Sequence, residues 1–210
     1  MGLFERIGWR ATGLRNRVVD LVWEWRLGIR TRGSAEVDHP DAVRYAPFAY
    51  AAVWETLRHM DLQPRDVFVD IGCGKGRVTC CAARLATCTI IGIDVESELC
   101  AMARDNARRL RGRQTPIQII NIAAQDFDYH RCTAIFMFNP FGAATLQQVL
   151  DIIRRSLEEH PRPLQLAYVN PRHDQVISEA GFLQRYDHWP RRPWSGLKFD
   201  VSYWRTPLRG

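Results

Sequence analysis

The chain has 210 residues, of which 46% are hydrophobic, and its formal net charge is +6. This length and composition predict one domain with a sizeable core and room for an added terminal segment. The charge permits an acidic partner, a nucleic acid or a membrane surface without requiring any of them. No apolar run reaches the roughly eighteen residues that a membrane span needs, so no span is expected.

The six cysteines are scattered through apolar or helical sequence, and no two of them form a C-x-x-C pair. This usage predicts free, buried thiols in a reducing compartment. Neither the cysteines nor the six histidines show a zinc-ligand spacing, so we expect no dedicated metal site. The N-terminus also lacks a secretory signal pattern, and we therefore expect a cytoplasmic protein.

Residues 1–40 differ from the rest of the chain and are predicted to form a basic, amphipathic helical extension of a domain covering residues 41–210. Such a helix can pack on the domain, pair with a second copy as a homodimer, cover a substrate or lie on a membrane. We favour packing or dimerisation and leave the other roles open. The apolar residues at roughly helical spacing are Leu14, Val18, Val19, Val22, Trp23 and Trp25, and the arginines between them include Arg15, Arg17, Arg26 and Arg30.

The next predicted helix covers Pro47 to Met60, and Tyr45 comes just before it. Proline suits the first turn of a helix, because that turn has no use for its missing amide hydrogen. A tyrosine in this position can reach over the loop that follows the first strand, which makes Tyr45 a candidate functional residue. A half-buried aromatic at a helix start is an equally good interpretation.

A glycine-rich turn follows the apolar run that begins at Val67. The run ends at Asp70, and Gly72, Gly74 and Gly76 alternate behind it. The pattern predicts a buried strand, a turn with positive φ angles and a helix start whose free amides face a ligand. Its spacing, D-x-G-x-G-x-G, fits neither the dinucleotide fingerprint nor the Walker phosphate loop.

Two further carboxylates follow predicted strands. Asp94 ends the strand Thr89 to Asp94, where an acid beside the glycine turn can bind both hydroxyls of a ribose. Asp126 follows the strand Ile117 to Ile120 and can accept from an adenine amino group. Because ligands bind at the carboxyl ends of parallel strands, both acids favour a cofactor that contains adenosine.

The fourth predicted strand, Thr133 to Phe138, is followed by Asn139, Pro140, Phe141 and Gly142. An asparagine oxygen and a neighbouring backbone carbonyl can accept both N–H groups of an amine and thereby direct its lone pair. A simple strand-to-helix turn, with Asn139 as helix cap, is the alternative.

The remaining sequence predicts helices over Leu146 to Leu157 and from Asn170 to Gly181, a strand over Leu164 to Val169 and a final antiparallel hairpin. The hairpin strands are Phe182 to Tyr186 and Leu197 to Trp204. The connecting loop mixes tryptophan with arginine, but one short stretch does not make a nucleic-acid surface, and we do not favour a nucleic acid as partner. The alternation of strands and helices predicts one doubly wound α/β unit.

In its glycine turn and in the order of the acids behind it, the chain resembles the class I S-adenosylmethionine-dependent methyltransferases over roughly residues 45–204. The resemblance implies a Rossmann-like, seven-stranded sheet with helices on both faces. It implies that the cofactor S-adenosylmethionine binds to Asp70, Gly72, Cys73, Gly74, Gly76, Asp94 and Asp126. It also implies catalytic roles for Asn139 and Tyr45, a cofactor contact for Asn139, and acceptor contacts for Pro140 and Phe141.

Many N-methyltransferases of this family carry Asn or Asp, two prolines and an aromatic residue after the fourth strand. This chain has Asn139, a single proline and Phe141. A looser likeness to the class I protein-lysine methyltransferases favours N-methylation of an amine on a small molecule or a protein. O-methylation of a small natural product, transfer of an aminopropyl group and a non-catalytic binding module stay open as alternatives.

Overall fold

The computed structural model describes residues 17–35, 41, 43–192 and 197–207. The first helix, α1, covers 17–27 within the described residues. Part of the predicted extension lies outside the described residues, namely 1–16, with Leu14 and Arg15, and 36–40. The same holds for 193–196 of the predicted hairpin loop. The other helices are α2 (Tyr50–Met60), α3 (Arg77–Leu85), α4 (Ser97–Arg109), α5 (Ala143–Glu159) and α6 (Asp174–Ala180); the strands are β1 (Val67–Ile71), β2 (Thr89–Asp94), β3 (Ile117–Asn121), β4 (Ala134–Phe138), β5 (Gln165–Val169), β6 (Gln184–Trp189) and β7 (Val201–Arg205).

All seven strands form one sheet in the order β3-β2-β1-β4-β5-β7-β6. Strands β1 to β5 run parallel to one another, and β7 is antiparallel to both β5 and β6. The first strand, β1, therefore lies in the interior of the sheet. The chain adds β2 and β3 on one side of it and then crosses to the other side to form β4. The predicted seven-stranded α/β sheet and its closing antiparallel hairpin are confirmed.

Helices cover both faces of the sheet, as predicted. One face of β1, β4 and β5 packs on α2 and α3, and the opposite face packs on α5 and α6. Helix α4 lies against β2 and β3 beside α3. Successive side chains of a strand point to opposite faces, so Phe68 belongs to the first core and its neighbour Val69 to the second.

Several element boundaries differ from the sequence prediction by a few residues; for example, β7 begins at Val201 and not at Leu197, and α5 begins at Ala143 and not at Leu146. Helix α2 begins at Tyr50 and not at Pro47, because the backbone before it stays extended and the Phe48 carbonyl accepts a hydrogen bond from Arg77. Strand β6 covers Gln184–Trp189, about three residues beyond the predicted end, because its pairing with β7 continues past a bulge at Arg185 and Asp187. Among the described helices, none is long and apolar enough to cross a membrane.

Candidate functional site

The glycine turn joins β1 to α3 and forms the floor of a cleft at the carboxyl ends of the strands. Gly72, Gly74 and Gly76 have φ angles of 71°, 53° and 78°, which side chains rarely allow. A Cβ atom on Gly72 would lie 2.8 Å from Pro140, and one on Gly74 would overlap the ring of Tyr45. These glycines therefore provide both the turn geometry and the space in which two neighbouring loops approach the backbone.

Asp94 lines the cleft at the end of β2 and is nearly buried. One of its carboxylate oxygens accepts from the Gly74 amide at 2.8 Å, and the other accepts from the Glu96 amide at 2.9 Å. Each carboxylate oxygen has a second lone pair, so Asp94 can still accept from two ligand hydroxyls. Burial raises the pKa of Asp94, while the amides of Glu96 and Gly74 oppose that rise.

Asp70 is 2% exposed, lines the same cleft, and has one carboxylate oxygen without a hydrogen-bond partner among the described residues. Burial, together with the nearby Asp94, raises the pKa of Asp70 to about 8. A buried carboxylate without a donor is costly unless a cation or donor reaches it. The ammonium of an amino-acid moiety would supply that donor, so this acid fits the methionine end of S-adenosylmethionine.

Asn139 follows β4 directly and lies in the left-handed region with a φ of 38°. Its side chain is buried and lines the cleft. The hydroxyl of Tyr168, on neighbouring β5, donates to Asn139 Oδ1 at 3.0 Å. Burial raises the pKa of Tyr168 to about 12, which keeps this hydroxyl protonated and able to donate. The amide is thus held in one orientation at the mouth of two central strands.

The loop after Asn139 is covered by the segment around residue 43. The Val43 amide donates to the Pro140 carbonyl at 2.9 Å, and the Thr145 hydroxyl donates to Asp41. Pro140 and Phe141 line the cleft, as the sequence predicted for acceptor contacts. Because Val43 already occupies one lone pair of the Pro140 carbonyl, that carbonyl has one lone pair left for a ligand.

Aromatic side chains form the wall of the cleft beside Asn139. Phe138 lies between Phe48 and Phe199, with ring centroids 5.4 Å and 5.0 Å away. Asn170, at the end of β5, lines the cleft with a φ of 52° and repeats the Asn-Pro step of Asn139. We call Phe48, Phe138, Asn139, Asn170 and Phe199 the acceptor side, and Asp70, Gly72, Gly74 and Asp94 the cofactor side.

The other predicted site residues lie at different distances from the cleft. Cys73 and Tyr45 line it, and the hydroxyl of Tyr45 donates to the Thr31 carbonyl at 2.7 Å, so its ring is what faces the glycine turn. Gly76 lies behind the turn, against Ala103. Asp126 is exposed and is not among the lining residues, whereas its neighbour Gln125 is. The adenine contact of Asp126 stays a prediction.

Arg77 is the residue whose role the sequence did not indicate. It is 3% exposed at the first position of α3, where the helix dipole disfavours a cation. Asp20 of α1 accepts from it at 3.0 Å, and Glu24 lies 3.7 Å away. It also donates to the Thr31 hydroxyl at 2.8 Å. Arg77 thus joins the end of the glycine turn to α1. The sequence feature that could have indicated this contact is the presence of two acids, Asp20 and Glu24, in an otherwise basic helix.

The comparisons with known proteins agree with this geometry. A family model described as a methyltransferase domain matches residues 68–160, which include the glycine turn, Asp94 and the loop after β4. This match, together with solved structures of methyltransferases that hold S-adenosylmethionine or S-adenosyl-L-homocysteine, supports a class I S-adenosylmethionine-dependent methyltransferase. The match begins in β1 and ends with α5, so both sides of the cleft contribute to it. A search of curated proteins found no match.

Solved structures share the fold of this methyltransferase at low sequence identity. An RNA methyltransferase from Salinibacter ruber, in complex with S-adenosyl-L-homocysteine, is 19% identical with a TM-score of 0.58, over 79% of this chain and 96% of that one. A ribosomal protein L11 methylase from Lactobacillus delbrueckii subsp. bulgaricus is 15% identical with a TM-score of 0.56, over 76% and 79%. A magnesium protoporphyrin IX methyltransferase from Synechocystis PCC 6803, with bound SAM, is 13% identical with a TM-score of 0.51, over 74% and 77%.

The three neighbours are named for an RNA, a protein and a porphyrin. Their common fold therefore says nothing about the acceptor of this methyltransferase. The acceptor has to be argued from the side chains that line the cleft.

Proposed function

We propose that this methyltransferase binds S-adenosylmethionine on the cofactor side of the cleft and methylates an amine held on the acceptor side. The observation that carries the proposal is Asn139, a buried amide at the end of β4 whose orientation is fixed by Tyr168. Its oxygen keeps one lone pair for an N–H group of the acceptor. The acceptor is an amine on a small molecule or a protein, and a nucleic acid is not favoured.

The cofactor side supplies complementary groups for the three parts of S-adenosylmethionine. The unpartnered oxygen of Asp70 suits the ammonium, and Asp94 suits the ribose hydroxyls. For the adenine we propose Gln125, which lines the cleft, and its exposed neighbour Asp126. When bound, S-adenosylmethionine supplies a methyl group that is electrophilic because it is attached to a sulfonium. Holding the amine in line with that group contributes much of the rate gain.

The acceptor side favours a nitrogen over an oxygen as the methylated atom. Phe48, Phe138 and Phe199 remove water from a bound amine, which lowers the pKa of its ammonium form and favours the neutral nucleophile. A hydroxyl acceptor needs a base to remove its proton, and the five residues of the acceptor side include no acidic or basic side chain, since Asp70 and Asp94 belong to the cofactor side. Asn139 and the Pro140 carbonyl can hold an amine without taking up a proton.

All six cysteines are free and buried, a state that suits a reducing compartment. We therefore place the activity in the cytoplasm. Pairing of two copies through the N-terminal helix stays a prediction.

The test is an assay of the full chain with S-adenosylmethionine labelled in its methyl group. The acceptors offered are primary and secondary amines, phenols and a lysine-rich peptide. We expect label on nitrogen, S-adenosylhomocysteine as the second product, and a loss of about 100-fold in kcat for Asn139→Ala while cofactor affinity is kept. Label on oxygen, or methylthioadenosine as the product, would contradict N-methylation.

A further inference from the structure

Helix α1 has two faces with an unusual division of residues. Asp20 and Glu24, the acids of the helix, point inward and bind Arg77. Trp23 packs inward too, with its ring 5.0 Å from that of Trp54, and Leu27 is buried. The inner face therefore already provides both the polar and the apolar contacts that hold α1 on the domain.

The opposite face of α1 is apolar and exposed. Val18, Leu21, Val22 and Trp25 are 52%, 46%, 48% and 74% exposed. Their spacing of three and four residues places them in one stripe along the helix, which we call the outer strip. The remaining large exposed hydrophobic residues of the described chain are Val43, Leu85 and Met102, which lie on three separate segments.

Arginines surround the outer strip. At 3.6 residues per turn, Arg17 and Arg26 lie on its two borders, and both are exposed. The exposed Arg111 donates to the Trp25 carbonyl at 3.1 Å, which brings a third guanidinium to the end of the strip. The acids of α1 are turned to the other face, so this border is positively charged.

We propose that the outer strip is a docking surface for an anionic lipid membrane, on which α1 lies parallel to the surface. Its valines, leucine and tryptophan would enter the boundary between headgroups and acyl chains. Arg17, Arg26 and Arg111 would meet the lipid phosphates around them. The inner face would stay bound to Arg77, so docking would require no unfolding of the glycine turn.

A second copy of the chain is the competing occupant, and charge argues against it. A two-fold contact through the outer strip would bring the same arginines of both copies together. The strip has four side chains on one helix, whereas a standard interface uses about twenty residues a side. An anionic surface has the complementary charge and needs only a narrow apolar stripe.

The experiment is co-sedimentation of the full chain with vesicles of phosphatidylcholine alone or mixed with phosphatidylglycerol. We expect binding to the mixed vesicles, and weaker binding as the salt concentration rises. Replacing both Arg17 and Arg26 with glutamine should lower the partition coefficient about fivefold for each arginine. Trp25→Glu should lower it more than about tenfold, since a charge replaces the most exposed apolar side chain.

Met102→Glu is the matched control, because Met102 is a similarly exposed apolar side chain, 45% exposed, on a different helix, α4. It should bind vesicles like the unchanged chain, and S-adenosylhomocysteine should bind all variants equally if they are folded. Equal binding by the unchanged chain and Trp25→Glu would overturn the proposal. Two other results would also overturn the proposal. In one, the chain does not bind vesicles but forms a dimer in sedimentation that Trp25→Glu dissociates. In the other, the chain does not bind vesicles but is retained on duplex RNA.

Discussion

The two sides of the cleft are built in different ways. On the cofactor side the groups that line the cleft come from the ends of two adjacent strands, and backbone amides of Gly74 and Glu96 hold Asp94 in place. On the acceptor side they come from positions as distant as Phe48 and Phe199, which meet through Phe138. The first side is specified by short-range backbone geometry, and the second by the packing of side chains from distant segments.

This difference indicates which side of the cleft can change by mutation without loss of the fold. A change in the glycine turn would disturb φ angles and contacts that allow almost no substitution. A change at Phe48, Asn170 or Phe199 would alter the acceptor pocket while the sheet stays intact. We therefore expect the two sides to respond separately to mutation: one in cofactor affinity, the other in turnover and acceptor choice.

The largest effect on the cofactor side is expected for Asp94→Ala. Removing a charged acceptor from a ligand hydroxyl costs about 1.5–3 kcal/mol, so the affinity for S-adenosylhomocysteine should fall by roughly 10- to 150-fold. Calorimetry measures this directly. Turnover at saturating cofactor should change far less.

Asp128→Ala is the control for that change, because Asp128 is a largely exposed acid that pairs with His130 and is not among the residues that line the cleft. Unchanged affinity in Asp94→Ala would show that this carboxylate does not touch the cofactor. A fall in affinity for Asp128→Ala as well would point to a general charge effect.

A pH dependence is expected from Asp70. Its pKa of about 8 in the ligand-free fold lies above the usual value, so a ligand ammonium, which needs the carboxylate, binds better as the pH rises. We expect the affinity for S-adenosylhomocysteine to increase about tenfold from pH 6 to pH 7 and to level off above pH 8. Calorimetry in buffers of different ionisation enthalpy should show a proton released on binding.

In Asp70→Asn that proton release should disappear and the affinity should no longer depend on pH. The same raised pKa means that ionisation of Asp70 destabilises the ligand-free fold as the pH rises from about 4 to 8. The thermal midpoint of the ligand-free protein should therefore depend less on pH in the variant. A pH slope of affinity that survives in Asp70→Asn would assign it to another group.

The smallest effect is expected for Tyr168→Phe. It removes the hydrogen bond that orients Asn139 but leaves the aromatic ring in the core. A neutral hydrogen bond contributes about 0.5–1.5 kcal/mol, so kcat should fall roughly threefold to tenfold with the cofactor affinity unchanged. Because Tyr203 is also a buried strand tyrosine, Tyr203→Phe serves as the control and should leave kcat unchanged. An unchanged kcat in Tyr168→Phe would show that Asn139 does not depend on this bond.

The sequence predicted the sheet and the glycine turn well because both depend on local patterns. Apolar runs gave the strands, and alternating glycines after Asp70 gave the turn. The acceptor side depends on contacts between distant segments. No local sequence pattern therefore indicated that Phe48, Asn170 and Phe199 would line the cleft. Arg77 was missed for the same reason, since its partners Asp20 and Glu24 lie more than fifty residues earlier.

The N-terminal helix shows a second limit of sequence patterns. Its apolar positions were predicted as a single stripe, but the structure divides them between an inner Trp23 and an exposed outer strip. The acids Asp20 and Glu24 decide which face turns inward, because each carboxylate reaches a buried guanidinium. The periodicity of the sequence predicts an apolar stripe, but the contact with Arg77 determines which face of α1 turns toward the domain.

The separation of the two sides is tested most directly by measuring cofactor affinity and kcat for Asp94→Ala and Asn139→Ala in parallel. We predict that Asp94→Ala loses affinity for S-adenosylhomocysteine while kcat at saturating cofactor is largely kept. We predict the reverse for Asn139→Ala. Equal loss of both quantities in both variants would contradict the account, because it would mean that the cleft does not divide into a cofactor side and an acceptor side.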